Sequence, residues 1–165
     1  MTDTLTTKTL TVTTPSDREI ALSRTFNAPR ALVFDALTKP ELVKRWMLGN
    51  MGAAMPVCEI DLKIGGAYRF VWRNADGSEF AMNGVYREIV RPVKIVNTQR
   101  FEAAWLPGEF VLTTTLSESG GVTTFTCNTL YDSQEMRDKI LKSGMESGAS
   151  ASYERLAELL AELRQ

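Results

Sequence analysis

From Leu141 to Gln165 the chain reads LKSGMESGASASYERLAELLAELRQ. Leu156, Leu159, Leu160 and Leu163 recur at helical spacing and form one apolar stripe. Continued backwards, that stripe meets Ser152, Ala149, Gly148, Met145 and Gly144. The C-terminal half of the helix can fill a core, whereas the N-terminal half carries little side-chain volume. Such a face either admits another backbone or leaves room for a guest molecule. Each glycine weakens the segment by up to about 1 kcal/mol relative to alanine, so a break is expected near them. One continuous helix is then expected from about Ser147 to Leu163. Glu146, Glu154, Glu158 and Glu162 share the opposite face, which reads as a solvated surface or, alternatively, as an acidic docking stripe.

A long run of strands precedes this helix. Residues 57–63, 67–73, 79–90, 94–101, 109–117 and 122–131 read as strands separated by turn signals such as Gly65-Gly66, Asp76-Gly77 and Gly120-Gly121. Short turns between consecutive strands predict an antiparallel meander. Ahead of them, residues 18–26 alternate, with Ile20, Leu22 and Phe26 opposed to Glu19, Ala21 and Ser23. Two short helices follow. Pro29 opens the first, and Thr38 with Glu41 suggests a capping box for the second. Asp132 and Glu135 suggest another box before the closing helices. The threonine-rich residues 1–17 read as a loose arm or an edge strand, and residues 18–165 as a single domain.

The 165 residues carry a net charge of −1 and no histidine. That balance offers no concentrated basic face for nucleic acid. Without histidine, the usual triads, zinc ligands and imidazole bases are gone. The two cysteines, Cys58 and Cys127, lie in separate strands and read as reduced thiols. No glycine-rich phosphate loop is present, and no metal or cofactor is expected. No segment reaches the ~20 apolar residues of a membrane span, and the N-terminus lacks a signal-peptide core, so a cytoplasmic protein is expected.

Three segments carry a family resemblance. FNAPRALVFDALTKPELVKRW, residues 26–46, resembles the opening of the Hsp90-ATPase-activator-homologue (AHSA1-like) family in the START/Bet v 1-like superfamily. Residues 58–101, with the Gly-Gly hairpin, the Asp-Gly turn and a Gly-x-Tyr-x-Glu-Ile strand, are similar to its middle signature. SGMESGASASYERLAELL, residues 143–160, is similar to its closing segment. The resemblance implies an α+β helix-grip fold. A curved antiparallel sheet of six to seven strands would wrap a long C-terminal helix, with two short helices between the first and second strands. It also implies a cavity between sheet and helix. Eukaryotic Hsp90 activators carry a separate domain ahead of this one, and residues 1–17 cannot replace it.

Alternation then selects lining candidates. With the aromatic set inward, Tyr68, Phe70 and Trp72 face the helix, joined by Met82 and Tyr86 from the next strand. Trp46, Asn83 and Thr114, with Met145, Ala149, Ser152 and Tyr153 from the helix, complete the expected ligand-binding set. Glu88 shares its parity with Tyr86 and is the one weak catalytic candidate. Arg100, if it pointed inward, would favour an acidic ligand. The leading expectation is a non-catalytic binding protein for a small apolar or amphipathic molecule, with a pocket of roughly 300–1,000 Å³. The alternatives are a protein-interaction module, chaperone-associated in the manner of an Hsp90 activator, and a cyclase, dehydratase or hydrolase of hydrophobic substrates. Either a monomer or a homodimer fits the sequence.

Overall fold

Along strand β2, Glu19–Phe26, buried residues alternate with half-buried ones without interruption, which is the burial pattern of a strand with one face on the core. The computed structural model describes residues 10–49 and 53–165. Strand β1, Thr11–Thr13, pairs with β2 at the sheet edge. After β2 come helices α1, Arg30–Thr38, and α2, Pro40–Trp46. The meander follows: β3, Ala54–Ile60; β4, Ala67–Arg73; β5, Glu79–Val90; β6, Lys94–Phe101; β7, Phe110–Ser119; and β8, Val122–Leu130. Helices α3, Gln134–Lys142, and α4, Met145–Leu163, close the chain.

The sheet order is β1-β2-β8-β7-β6-β5-β4-β3, and every neighbouring pair is antiparallel. This is a helix-grip fold, with the sheet curled towards α4. The sheet has eight strands, where six or seven were expected, because residues 11–13 take the edge-strand alternative. Residues 1–9 of the expected arm lie outside the described residues.

Several local readings shift for physical reasons. Thr38 caps nothing: its hydroxyl donates back to the Phe34 carbonyl at 2.8 Å and ends α1. Lys39 is the N-cap of α2, with Pro40 at the first helical position. Ser133, not Asp132, caps α3, accepting from the Met136 N–H at 3.0 Å. The break before α4 falls at Gly144, whose φ of 85° lies in the left-handed region that favours glycine. The long helix therefore starts two residues earlier than expected, at Met145. Strand β3 spans residues 54–60 rather than 57–63, because residues 61–66 are taken up by the turn.

Two apolar clusters fill the interior. The larger packs α1, α2 and the C-terminal half of α4 against the sheet around Phe34, Trp46, Phe125 and Leu156. The smaller joins Ile20, Leu22, Phe110, Tyr131, Met136 and Ile140. Helix α4 bridges both, with Tyr153 touching each. Its acidic face is also tied down. Glu162 pairs with Arg45 of α2 at 2.8 Å, and Glu154 with Arg24 of β2 at 3.5 Å.

A neutral cavity between the sheet and the C-terminal helix

Tyr68 and Phe70 of β4 turn inward, as do Met82 and Tyr86 of β5. Ile95, Asn97 and Gln99 continue that wall on β6, and Leu112 and Thr114 on β7. Phe125 and Cys127 complete it on β8. Leu37, Trp46, Met47 and Tyr153 close the opposite side. Together these residues line a partly open cavity of about 120 Å³. Among the described residues, no lysine, arginine, aspartate or glutamate lines it.

The wall is built with little slack at Gly84. A β-carbon there would fall 1.9 Å from the Thr98 carbonyl oxygen and 2.6 Å from the Tyr68 ring. The missing side chain lets the Tyr68 ring lie across β5, so that its hydroxyl donates to that same carbonyl at 2.6 Å. The Asn97 amide donates to the Tyr68 oxygen at 3.2 Å and to the Thr98 carbonyl at 3.1 Å. On the helical side, Trp46 donates to the Ala36 carbonyl at 2.8 Å and stacks on Tyr153 with ring centroids 5.7 Å apart. Both rings are thereby fixed in direction, one by a hydrogen bond and the other by stacking.

Seven of the expected lining residues reach the cavity: Trp46, Tyr68, Phe70, Met82, Tyr86, Thr114 and Tyr153. Five do not. Trp72 donates to the Met47 carbonyl at 2.6 Å and packs edge-on against Phe70, so it anchors the segment after α2 beside the cavity without lining it. Asn83 lies on the outer face, where it and Arg69 each bond Glu102 at 2.9 Å. Those hydrogen bonds, Arg69 first, hold the Glu102 carboxyl at about 2. Met145 and Ala149 pack into the smaller cluster. The Ser152 hydroxyl accepts from the Gly49 N–H at 2.8 Å, and Arg155 donates to the Gly49 carbonyl.

The light N-terminal face of α4 is therefore not the cavity roof; Tyr153 and Trp46 are. A β-carbon on Gly148 would meet nothing within 4 Å among the described residues, so no backbone approaches closely there either.

Glu88 is also corrected. The register slips between Tyr86↔Asn97 and Glu88↔Val96, which leaves one extra residue on β5. A bulge of this kind reverses the inward parity, so Glu88 turns out and pairs with Lys94 at 3.3 Å while Ile89 faces Ile95. Arg100 likewise faces outward, 3.6 Å from Glu109. Asn97 and Gln99 were not among the expected lining residues. Their parity was legible, because Lys94 and Arg100 mark the other face of β6 as the solvated one.

A family model described as activator of Hsp90 ATPase homolog 1-like protein matches residues 27–161. The chain belongs to that family. No curated protein matches it. Among solved structures, a protein from Rhodobacter sphaeroides superposes with a TM-score of 0.86 at 24% identity, covering 93% of this chain and 99% of its own. A protein from Chromobacterium violaceum gives 0.74 at 28% identity, covering 88% and 98%. The AHSA1 protein from Silicibacter pomeroyi gives 0.71 at 18% identity, covering 87% and 98%.

In this AHSA1-like chain, the titratable groups around the cavity are held in their neutral forms. Burial pushes the Tyr86 and Tyr153 phenols well above their ordinary range. It does the same to Tyr68, against the opposing hydrogen bond from Asn97. Burial also raises the Cys127 thiol and pushes half-buried Cys58 up to about 11. Both cysteines are free thiols. Among the described residues, no group of three His, Cys, Asp or Glu comes together to hold a metal ion. None of the described helices is long and apolar enough to cross a membrane.

Proposed function

We propose that this AHSA1-like protein is a non-catalytic container for a small apolar or amphipathic molecule, held between the sheet and α4. The observation that carries this reading is the cavity of about 120 Å³, walled by aromatic and aliphatic side chains with a few neutral polar groups. It is smaller than the roughly 300–1,000 Å³ of most ligand pockets. An engineered apolar cavity of about 150 Å³ takes up benzene, so the matching occupant is ring-sized. Acid–base chemistry finds little support, since no carboxylate among the described residues lines the wall and the phenols keep their protons at neutral pH.

Titration of the purified protein with indole and toluene tests the proposal, followed by the fluorescence of Trp46 and by methyl NMR shifts. Saturable changes that map to Leu37, Ile95 and Leu112 are expected. Uniformly unshifted methyls around the cavity would remove the proposal.

One observation favours a second reading, that of a protein-interaction module. Trp105 is 61% exposed and Ile64 69%, the two most open large apolar side chains among the described residues. Double replacement of Trp105 and Ile64 by serine would then abolish any stable partner complex and leave indole binding intact.

A further inference from the structure

The polar atoms of the cavity are grouped. Tyr86 and Asn97 are direct cross-strand partners, which places their β-carbons about 5 Å apart on the same face. Gln99 is the next inward residue of β6. Thr114 sits diagonally across β7, where Ile95 opposes Thr114 and Asn97 opposes Leu112. The other side, Leu37, Trp46, Met47 and Tyr153, is apolar apart from the Tyr153 hydroxyl and the Trp46 N–H, which Ala36 already satisfies.

The hydrogen bonds fix what this patch offers. A backbone carbonyl only accepts, so the Asn97 contact to Thr98 must come from the amide NH₂. The Asn97 carboxamide oxygen then remains, and no described residue donates to it. The Gln99 NH₂ is directed at the Met82 sulfur at 3.0 Å, which leaves its oxygen in the same condition. The Tyr86 hydroxyl makes no hydrogen bond to a described residue. The wall thus presents two carbonyl oxygens that need a donor and one phenol that can give or take. Asn97 and Gln99 are only half-buried, so these oxygens are open to whatever fills the cavity, and an occupant that donates there replaces hydrogen bonds that water would otherwise make.

Charge narrows the class. An anion would face two carbonyl oxygens with no cation among the described residues of the wall. The buried Arg24 is not part of the lining and lies against Glu154 at 3.5 Å. A cation would find no carboxylate. We infer that the occupant is a neutral, ring-sized molecule bearing a hydroxyl, held with that hydroxyl at Asn97 and Tyr86 and its apolar body toward Trp46 and Leu37. This inference rests on the cavity being a binding site, as proposed above.

Phenol, toluene and benzoate separate the two claims, titrated into the full chain at pH 7. Phenol and toluene are nearly the same shape, and the phenol hydroxyl costs free energy to dehydrate unless the wall replaces its hydrogen bonds. The wild-type protein is expected to bind phenol at least as tightly as toluene and to show no measurable benzoate binding. Asn97→Leu should turn this into a preference for toluene of tenfold or more. Tyr86→Phe, a milder change, should shift the same ratio toward toluene by a few fold. A wild-type preference for toluene of tenfold or more, benzoate binding as tight as phenol, or a phenol-to-toluene ratio that neither variant moves overturns the inference and leaves the container intact. Failure of all three probes to bind removes the container reading itself.

Discussion

Arg24 of β2 lies 3.5 Å from Glu154 of α4, and its side chain is 2% exposed while that of Glu154 is 55% exposed. The guanidinium stands over the Phe26 ring at 5.1 Å, and its Nε and Nη1 have no hydrogen-bond partner among the described residues. A charge taken out of water and only half compensated is a costly element to keep in a core.

Removing the counter-charge should therefore cost more than removing the pair. Glu154→Gln is expected to destabilise the fold by about 1–2 kcal/mol, less than for a fully buried pair because Glu154 is largely in water. Arg24→Met keeps the apolar stem over Phe26 and removes the charge, so its effect should fall between zero and a gain of about 1 kcal/mol. Denaturant midpoints at constant slope measure both. A loss above about 2 kcal/mol for Arg24→Met would show that the guanidinium is paired by something beyond Glu154.

Two glycines should respond to alanine in opposite directions. At Gly84 the new methyl meets the Thr98 carbonyl oxygen at 1.9 Å, and a loss of about 2–4 kcal/mol is expected from this overpacking. Because the nearest atom is backbone, trimming Tyr68 to leucine in the same chain should not restore stability. At Gly148 nothing lies within 4 Å among the described residues, and the helical backbone suits alanine. Gly148→Ala should add about 0.5–1 kcal/mol. Thermal unfolding of the three variants decides it, and rescue of Gly84→Ala by the Tyr68 change would contradict the backbone contact.

Alkaline pH should destabilise the protein through its tyrosines. All four, Tyr68, Tyr86, Tyr131 and Tyr153, are raised by burial. In the unfolded chain they titrate near 10, as phenols ordinarily do. The folded state therefore holds its phenolic protons when the unfolded state has lost them. The stabilisation is complete below about pH 10 and declines as the pH rises above it. Absorbance should show no phenolate while the circular dichroism stays native, and phenolate should then appear together with the loss of the native circular dichroism. Gradual phenolate formation near pH 10 in a protein that stays folded would count against this burial.

The fold was legible because its signals are local and periodic. The alternation of Ile20, Leu22 and Phe26, the glycine turns and the leucine stripe of α4 each determine an element without reference to the others. Five lining residues, Tyr68, Phe70, Met82, Tyr86 and Thr114, followed from strand parity alone. Parity also placed Arg24, Asn97 and Gln99 inward, and only their polar character argued against reading them so.

What the sequence determined by itself was the order of elements, the family and the face that most strands turn to the core, because side-chain period and turn chemistry are encoded within a few residues. What the tertiary structure alone decided was where space remains. The bulge that turns Glu88 outward is a register slip between two strands. The roof belongs to Tyr153 and Trp46, because Met145 and Ala149 pack into the smaller apolar cluster and Ser152 is engaged by Gly49, far away in sequence. A cavity is a property of distances between elements, and periodicity within one element carries no information about them.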